Sequence, residues 1–274
     1  MRTSSRVLSV FAVVCLLLLA ACGSTPTDSP TNNPDSPPEG LEEGIEVELE
    51  AVNRKYVRFV YFIEKGQRFE RREYVAIYRA ALDLQRYWYE QFGGTFFLTS
   101  HVVDVVYADH NPAWYINTAD GIHSDRRWHR LGNVKNEVYR KLGVSNFDPN
   151  VRVVSFPTTR ADGRVGGNFG GAWMDGDDLW ALYGWSNGLS YPYDETTWGA
   201  ANPLAHLAHE FGHVFGLDHT GPREDIMQSG FYTRTPGYAG LTYFSNSNRA
   251  QVKRNPANRG FLDAKPRQAV VVPR

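Results

Sequence analysis

The sequence predicts an α+β domain: a sheet backed by helices, followed by a smaller region built around one short histidine-bearing helix. Two observations carry this. Along the first half of the chain, runs rich in β-branched and aromatic residues alternate with two segments of helical apolar spacing, each ended by glycine. Further on, the stretch HLAHEFGHVFGLDHTGPREDIM, from His206 to Met227, sets histidines at helical spacing and interrupts them with Gly216. Of the 274 residues, 42% are hydrophobic. With the N-terminal segments set aside, roughly 230 remain, enough for a single domain with a substantial core. The net charge is −1 with Lys and Arg scattered, so no electrostatic footprint for nucleic acid is present. There is no internal repeat, and a monomer is expected.

Residues 1–21 carry Arg2 and Arg6 and then the apolar run Val7 to Ala21, interrupted only by Ser9. This is a signal-peptide pattern, somewhat short of the about 20 residues of a membrane span. The run ends Leu19-Ala20-Ala21-Cys22, a tetrad that resembles a bacterial lipobox. That resemblance implies lipidation of Cys22 and a protein held by lipid at the cell envelope or surface, on its extracellular or periplasmic face. An ordinary secretory signal with an incidental cysteine, or an uncleaved anchor, is the alternative. Residues 22–44 are expected to be a flexible tether, because the stretch 23–40 has no aromatic or large aliphatic residue with which to offset the entropy of ordering. A folded domain over 45–265 and a tail over 266–274 follow. The chain's two cysteines are Cys15 and Cys22, so the folded part contains no disulfide and its stability rests on its core.

Ile45 to Ile63 alternates and is crowded with β-branched and aromatic residues, which predicts strand, as one segment or two. Arg71 to Phe92 places Tyr74, Ile77, Tyr78, Ala81, Leu82, Trp88 and Phe92 near helical spacing, and Gly93-Gly94 ends it. This is a long amphipathic helix whose aromatic stripe belongs to the core. Thr95 to Tyr107 reads as strand, with His101 a packed or edge residue. The loop from Ala108 to Ser124 carries His110 and His123, both expected at the surface. Ser124 or Asp125 caps a second helix through Leu142, with Gly143 as its stop. Val151 to Phe156 is a short buried strand. The glycine-rich region Gly163 to Gly188 contains GGNFGGAWMDGDD, where glycines around an aromatic strand suggest close backbone approach. A surface loop is the plainer alternative. Asp175, Asp177 and Asp178 offer oxygens to calcium, but their spacing does not match an EF-hand loop and a solvated acidic turn is expected. Asn202-Pro203 starts the histidine helix, since proline is favoured in a first turn. After Met227, Phe231 to Tyr243 is irregular, Ser245 or Ser247 caps a last helix over NRAQVKR, and Pro256 lies beyond its end. From Ala264 the tail is expected as surface strand or without order.

Within the organising stretch, His209, Glu210, His213, Gly216 and His219 spell HExxHxxGxxH, and Met227 follows eight residues after the last histidine. Residues four apart share a helix face about 5 to 6 Å from each other, so His209 and His213 can aim at one point. Glycine commonly ends helices in a left-handed conformation, so Gly216 lets the chain turn and return His219 as a third nitrogen. Three protein ligands leave the fourth position of a tetrahedral Zn²⁺ open for water, which is the arrangement of a catalytic site. Glu210 is placed to act as general base without occupying a ligand position. His206 lies one turn earlier on much the same face and is a candidate to line the cleft.

This motif resembles that of the metzincin clan of zinc metallopeptidases, and within it the matrixins, through Thr220 after the third histidine and the short gap to Met227. The resemblance implies one catalytic Zn²⁺ on His209, His213 and His219, Glu210 as catalytic base, and Met227 in a turn beneath the metal. It also implies a twisted, mostly parallel sheet with an antiparallel edge strand, helices behind it, and a C-terminal helix. In that clan the edge strand before the zinc helix pairs with an extended peptide substrate, a role that would fall to Gly170, Gly171, Ala172, Trp173 and Met174. The chain departs from matrixins in continuing Gln228-Ser229-Gly230 after the methionine, and Ser229 stands where astacins carry a tyrosine ligand. Tyr232 is near, without a spacing argument. The activity implied is that of a secreted or membrane-tethered zinc endopeptidase. The alternatives are a surface binding protein that keeps the zinc fold without cutting, and a zinc hydrolase acting on an ester or small amide.

Overall fold

In the computed structural model of the chain, one sheet runs through the domain with its strands in the order β1-β7-β3-β2-β4-β6-β5. The structure describes residues 46–48, 54–125, 128–146, 148–159, 165–168, 170–182, 203–222, 225–228 and 243–270. All of them belong to one unit, Pro34–Arg274. The strands are β1 (Glu46–Glu48), β2 (Tyr56–Ile63), β3 (Phe97–Tyr107), β4 (Val151–Pro157), β5 (Gly166–Asn168), β6 (Gly171–Trp173) and β7 (Gln268–Val270). The helices are α1 (Arg71–Phe92), α2 (Pro112–Asn117), α3 (His129–Leu142), α4 (Gly176–Leu182), α5 (Pro203–Val214) and α6 (Asn246–Arg254). Every strand pairing is parallel except β5 with β6, so an antiparallel strand closes one edge. No helix among the described residues is long and apolar enough to cross a membrane.

The sheet is covered on both faces, and β2 shows why its sequence reads as near-continuous apolar residues. Val57, Phe59, Tyr61 and Ile63 enter a core shared with α1 and α5, while Val60 and Phe62 enter a second core with Tyr115 of α2 and Val134 and Val138 of α3. Helices therefore lie before and behind the sheet rather than behind it alone. Helix α1 spans the predicted residues and stops at Gly93, whose φ of 73° and bond to the Tyr89 carbonyl form a left-handed C-cap. Its Trp88 is fully buried, with ring centres 4.8 Å from Phe211 and 5.1 Å from Phe215, and so anchors α5 against α1.

Four sequence expectations need correction here. Helix α3 begins at His129 with no side-chain cap, so Ser124 and Asp125 do not start it. The preceding turn is held instead by Asp120, which accepts hydrogen bonds from the Ile122 and His123 amides. Helix α2 occupies part of the expected loop, capped by Asn111 with Pro112 in its first turn. The acidic turn is not solvated: Asp175 and Asp178 are buried, and Arg130 reaches both Asp175 (2.6 Å) and Glu64 (3.3 Å). Finally, the tail supplies an interior strand, because β7 sits between β1 and β3 with Ala269 fully buried. Gln85 of α1 staples it there by donating to the carbonyls of Phe96 (2.8 Å) and Gln268 (3.1 Å), and the sheet thus extends past residue 265. The signal, Cys22 and the tether lie outside the described residues.

Candidate metal centre

Pro203 opens α5, and Leu207, Ala208, Phe211, Val214 and Phe215 bury its apolar face. The opposite face carries His209 and His213. After Val214 the helix ends in a Schellman motif: Gly216 has φ 81°, its amide bonds the His213 carbonyl (2.9 Å), and the Leu217 amide bonds the Gly212 carbonyl (3.1 Å). The reversal brings His219 back over the helix. Its Nε2 stands 3.2 Å from Nε2 of His209 and 3.1 Å from Nε2 of His213. Nitrogens bound tetrahedrally to zinc at about 2.0–2.1 Å would be roughly 3.3 Å apart, so the three atoms are spaced to share one ion. They form the one such group of histidine, cysteine or carboxylate ligands among the described residues.

The outward nitrogens fix this arrangement. Nδ1 of His209 meets the Ile226 carbonyl at 2.5 Å, and Nδ1 of His213 meets the Leu217 carbonyl at 2.6 Å. Each Nδ1 therefore carries the proton, and each Nε2 presents a lone pair inward, the usual outer support of a metal-ligating histidine. Burial lowers the pKa of His209 to about 3 and lowers that of His213 as well, so both are neutral and able to ligate.

Glu210 is buried beside them, and burial raises its pKa to about 7 against the opposing charge of His206. The backbone N–H of Gly167 in β5 also hydrogen-bonds its carboxylate. His206 connects two carboxylates: its Nδ1 meets Asp178 at 2.7 Å, and its Nε2 stands 3.8 Å from Glu210. Burial works against a charge on His206, but Asp178 and then Glu210 raise its pKa to about 9. His206 thus lines the site as a cation beside the Glu210 carboxylate.

The turn beneath the helix is built on Asp225, which sequence reasoning missed. Its fully buried carboxylate accepts from the amides of Met227 (2.7 Å) and Ser245 (2.7 Å) and from the Asn248 side chain (2.8 Å). Met227 is fully buried against α5, where a Cβ on Gly212 would stand 2.2 Å from its sulfur. Asn248 also donates to the Thr220 carbonyl (3.0 Å), so α6, capped by Ser245, holds the chain next to His219. The Ser245 cap was legible, but not the reach of Asn248 across 23 positions to Asp225.

The residues expected to form the edge strand lie one strand further into the sheet. Gly171, Ala172 and Trp173 form β6, an interior strand hydrogen-bonded on both sides, and Met174 is buried just beyond it. Gly170, at φ 115°, is the turn that reverses the chain from β5 into β6. The edge beside the metal centre is β5, where a Cβ on Gly167 would stand 2.3 Å from the Glu210 carbonyl oxygen and 2.8 Å from the His213 Cβ. Ser229 and Tyr232 lie outside the described residues.

Three imidazoles converge from one helix and the turn after it, with a buried carboxylate beside them at the edge of a mostly parallel sheet, and together they make a group able to hold a metal ion. No protein-family model matches the chain, and no curated protein matches it. Among solved structures, OgpA from Akkermansia muciniphila superposes with a TM-score of 0.46 and 13% identity, over 84% of this chain and 67% of that one. Its catalytically inactive form, solved with the O-glycopeptide substrate glycodrosocin, gives 0.43 and 12% over the same shares. Archaemetzincin from Methanopyrus kandleri gives 0.36 and 15%, over 73% of this chain and 95% of that one. Likeness at this level leaves the chemistry to be argued from the side chains themselves.

Proposed function

We propose that this protein is a zinc-dependent endopeptidase. The observation that carries the reading is the convergence of the three Nε2 atoms, each pair involving His219 near 3.2 Å, with Glu210 next in sequence to a ligand and buried beside it. A donor set of three imidazoles suits zinc and leaves one coordination position for chemistry. When bound, zinc supplies Lewis acidity and hydroxide at neutral pH. Glu210, with a pKa raised by burial to about 7, takes up the proton released as water attacks the scissile carbonyl and delivers it to the leaving amine. His206, held by Asp178, keeps that carboxylate oriented between the two transfers. A peptide is favoured over a small ester because β5 ends the sheet beside the centre, and among the described residues no strand pairs with its outer side. An extended backbone can add there through main-chain hydrogen bonds.

The purified protein should cleave casein or a peptide library, lose that activity to a chelator and regain it with zinc. Glu210→Gln should keep its metal and cut no peptide. Parental cleavage by that variant would overturn the mechanism. Export and lipid anchoring through Cys22 are part of the same proposal, supported by the apolar run and the Leu19-Ala20-Ala21-Cys22 tetrad. Cys22→Ser should move the protein out of the membrane fraction, and an unchanged membrane fraction would refute the anchor.

A further inference from the structure

Behind β5, on the face of the sheet away from α5, lies a cavity of about 240 Å³. Trp128, Leu131 and Lys135 of the α3 region, Ile122 before it, and Asn168 and Trp173 of the sheet line it. Its mouth is open to solvent: Ile122 is 63% exposed and Trp128 36%, with the ring of His123, itself paired with Asp120, centred 6.4 Å from that of Trp128. Sites that enclose a whole small ligand usually run to about 300–1,000 Å³, so this one is of the size to take a single side chain. The indole N–H of Trp173 is buried and has no hydrogen-bond partner among the described residues. The Lys135 ammonium lies 5.1 Å from the Trp173 ring centre, so its charge is already engaged with the wall.

What connects this cavity to the metal centre is the alternation of β5. Gly167 presses on α5 at Glu210 and His213, whereas a Cβ on Gly166, one residue earlier, would stand 3.2 Å from Leu131. Side chains of a strand added to the outer edge of β5 alternate in the same way. One residue of such a strand faces the imidazoles, and its immediate neighbour in sequence faces the cavity. We propose that the cavity is a substrate subsite that selects a bulky apolar residue, aromatic in preference, next to the residue presented to the metal centre. The inference rests on the endopeptidase reading and adds to it a specificity that does not depend on the metal side of the cleft. Trp128 supplies the face on which the ring stacks, and Leu131 adds apolar wall against which it packs.

Two measurements test this separately from the proteolysis itself. The first compares matched peptides carrying Phe or Ala at each position flanking the cut, with the parental enzyme and with Trp128→Ala and Leu131→Ala, all checked for unchanged melting temperature. At one position the parent should prefer Phe by about tenfold or more in kcat/KM, and each variant should bring that ratio close to one. The second measures affinity of the same peptides for Glu210→Gln, which does not require turnover. The Phe peptide should bind it at least about tenfold more tightly than the Ala peptide, and Trp128→Ala in that background should remove the difference. Cleavage with no such preference, or a preference that both variants retain, overturns the subsite and leaves the peptidase standing. Binding selectivity without any cleavage overturns the peptidase and leaves the subsite. Neither cleavage nor binding removes both.

Discussion

At the scale of single residues, the convergence of three imidazoles with a carboxylate beside them was legible because it is set by local spacing. A separation of four along a helix aims His209 and His213 together, and Gly216 is the one residue whose left-handed φ of 81° carries no Cβ penalty in returning His219. The groups that hold them were not legible, since their partners come from distant sequence. Asp225 binds Asn248, and Asp178 binds His206 at 2.7 Å across 28 positions. Asp178 makes a prediction at this scale. If it holds the His206 cation toward Glu210, Asp178→Asn keeps the shape of the site but weakens that hold. A loss of about 10- to 100-fold in kcat is expected, with KM little changed and the metal retained. Parental kcat across the pH profile would show that the pair is structural.

At the scale of elements, the strongest periodicities gave the right spans, and the failures have specific causes. Helix α1 carries a long uninterrupted pattern and strand β4 a short, largely apolar one, each ending in glycine or turn residues, and both were found where expected. Helix α2, six residues long, has no apolar period to show, although Asn111-Pro112 announces its start. In the glycine-rich region, the spacing of Gly166, Gly167, Gly170 and Gly171 marks two short arms and the turn between them. It does not say which arm faces outward. That depends on β4, which takes Gly171 to Trp173 as its parallel partner and leaves Gly166 to Asn168 at the edge. Contact between α5 and the Met227 turn is equally a matter of elements meeting. The turn approaches so closely that Gly212→Ala would force a methyl to within 2.2 Å of the Met227 sulfur. Because Met227 is fully buried, it has little room to withdraw. The substitution should destabilise the protein by about 1–3 kcal/mol in denaturant unfolding, despite alanine's better helix propensity. A stabilised variant would show that the turn is not packed under the helix as described.

For the whole molecule, the sheet is the frame that makes the site possible, and its order was only partly legible. Strands separated by long stretches pair in parallel, and nothing local specifies their neighbours. Thus β7, from the end of the chain, lies between β1 and β3, and Gln85 on α1 gives the hydrogen bonds that seat it. Helices on both faces leave the edge at β5 as the place where backbone, the three imidazoles and Glu210 come together. The alternation of that edge places the ligand face and the Trp128 cavity on opposite sides of one strand. Fold and site are coupled through α5: its apolar side is locked to Trp88 and Phe96, and its polar side carries His209 and His213. The claim on which the rest depends is that the three imidazoles hold a metal ion together. Zinc content of the dialysed protein tests it directly, measured for the parent, for Glu210→Gln and for His213→Ala. One zinc per chain is predicted for the first two and a large loss of metal for the third, whereas a metal-free parent, or full occupancy without His213, would contradict it.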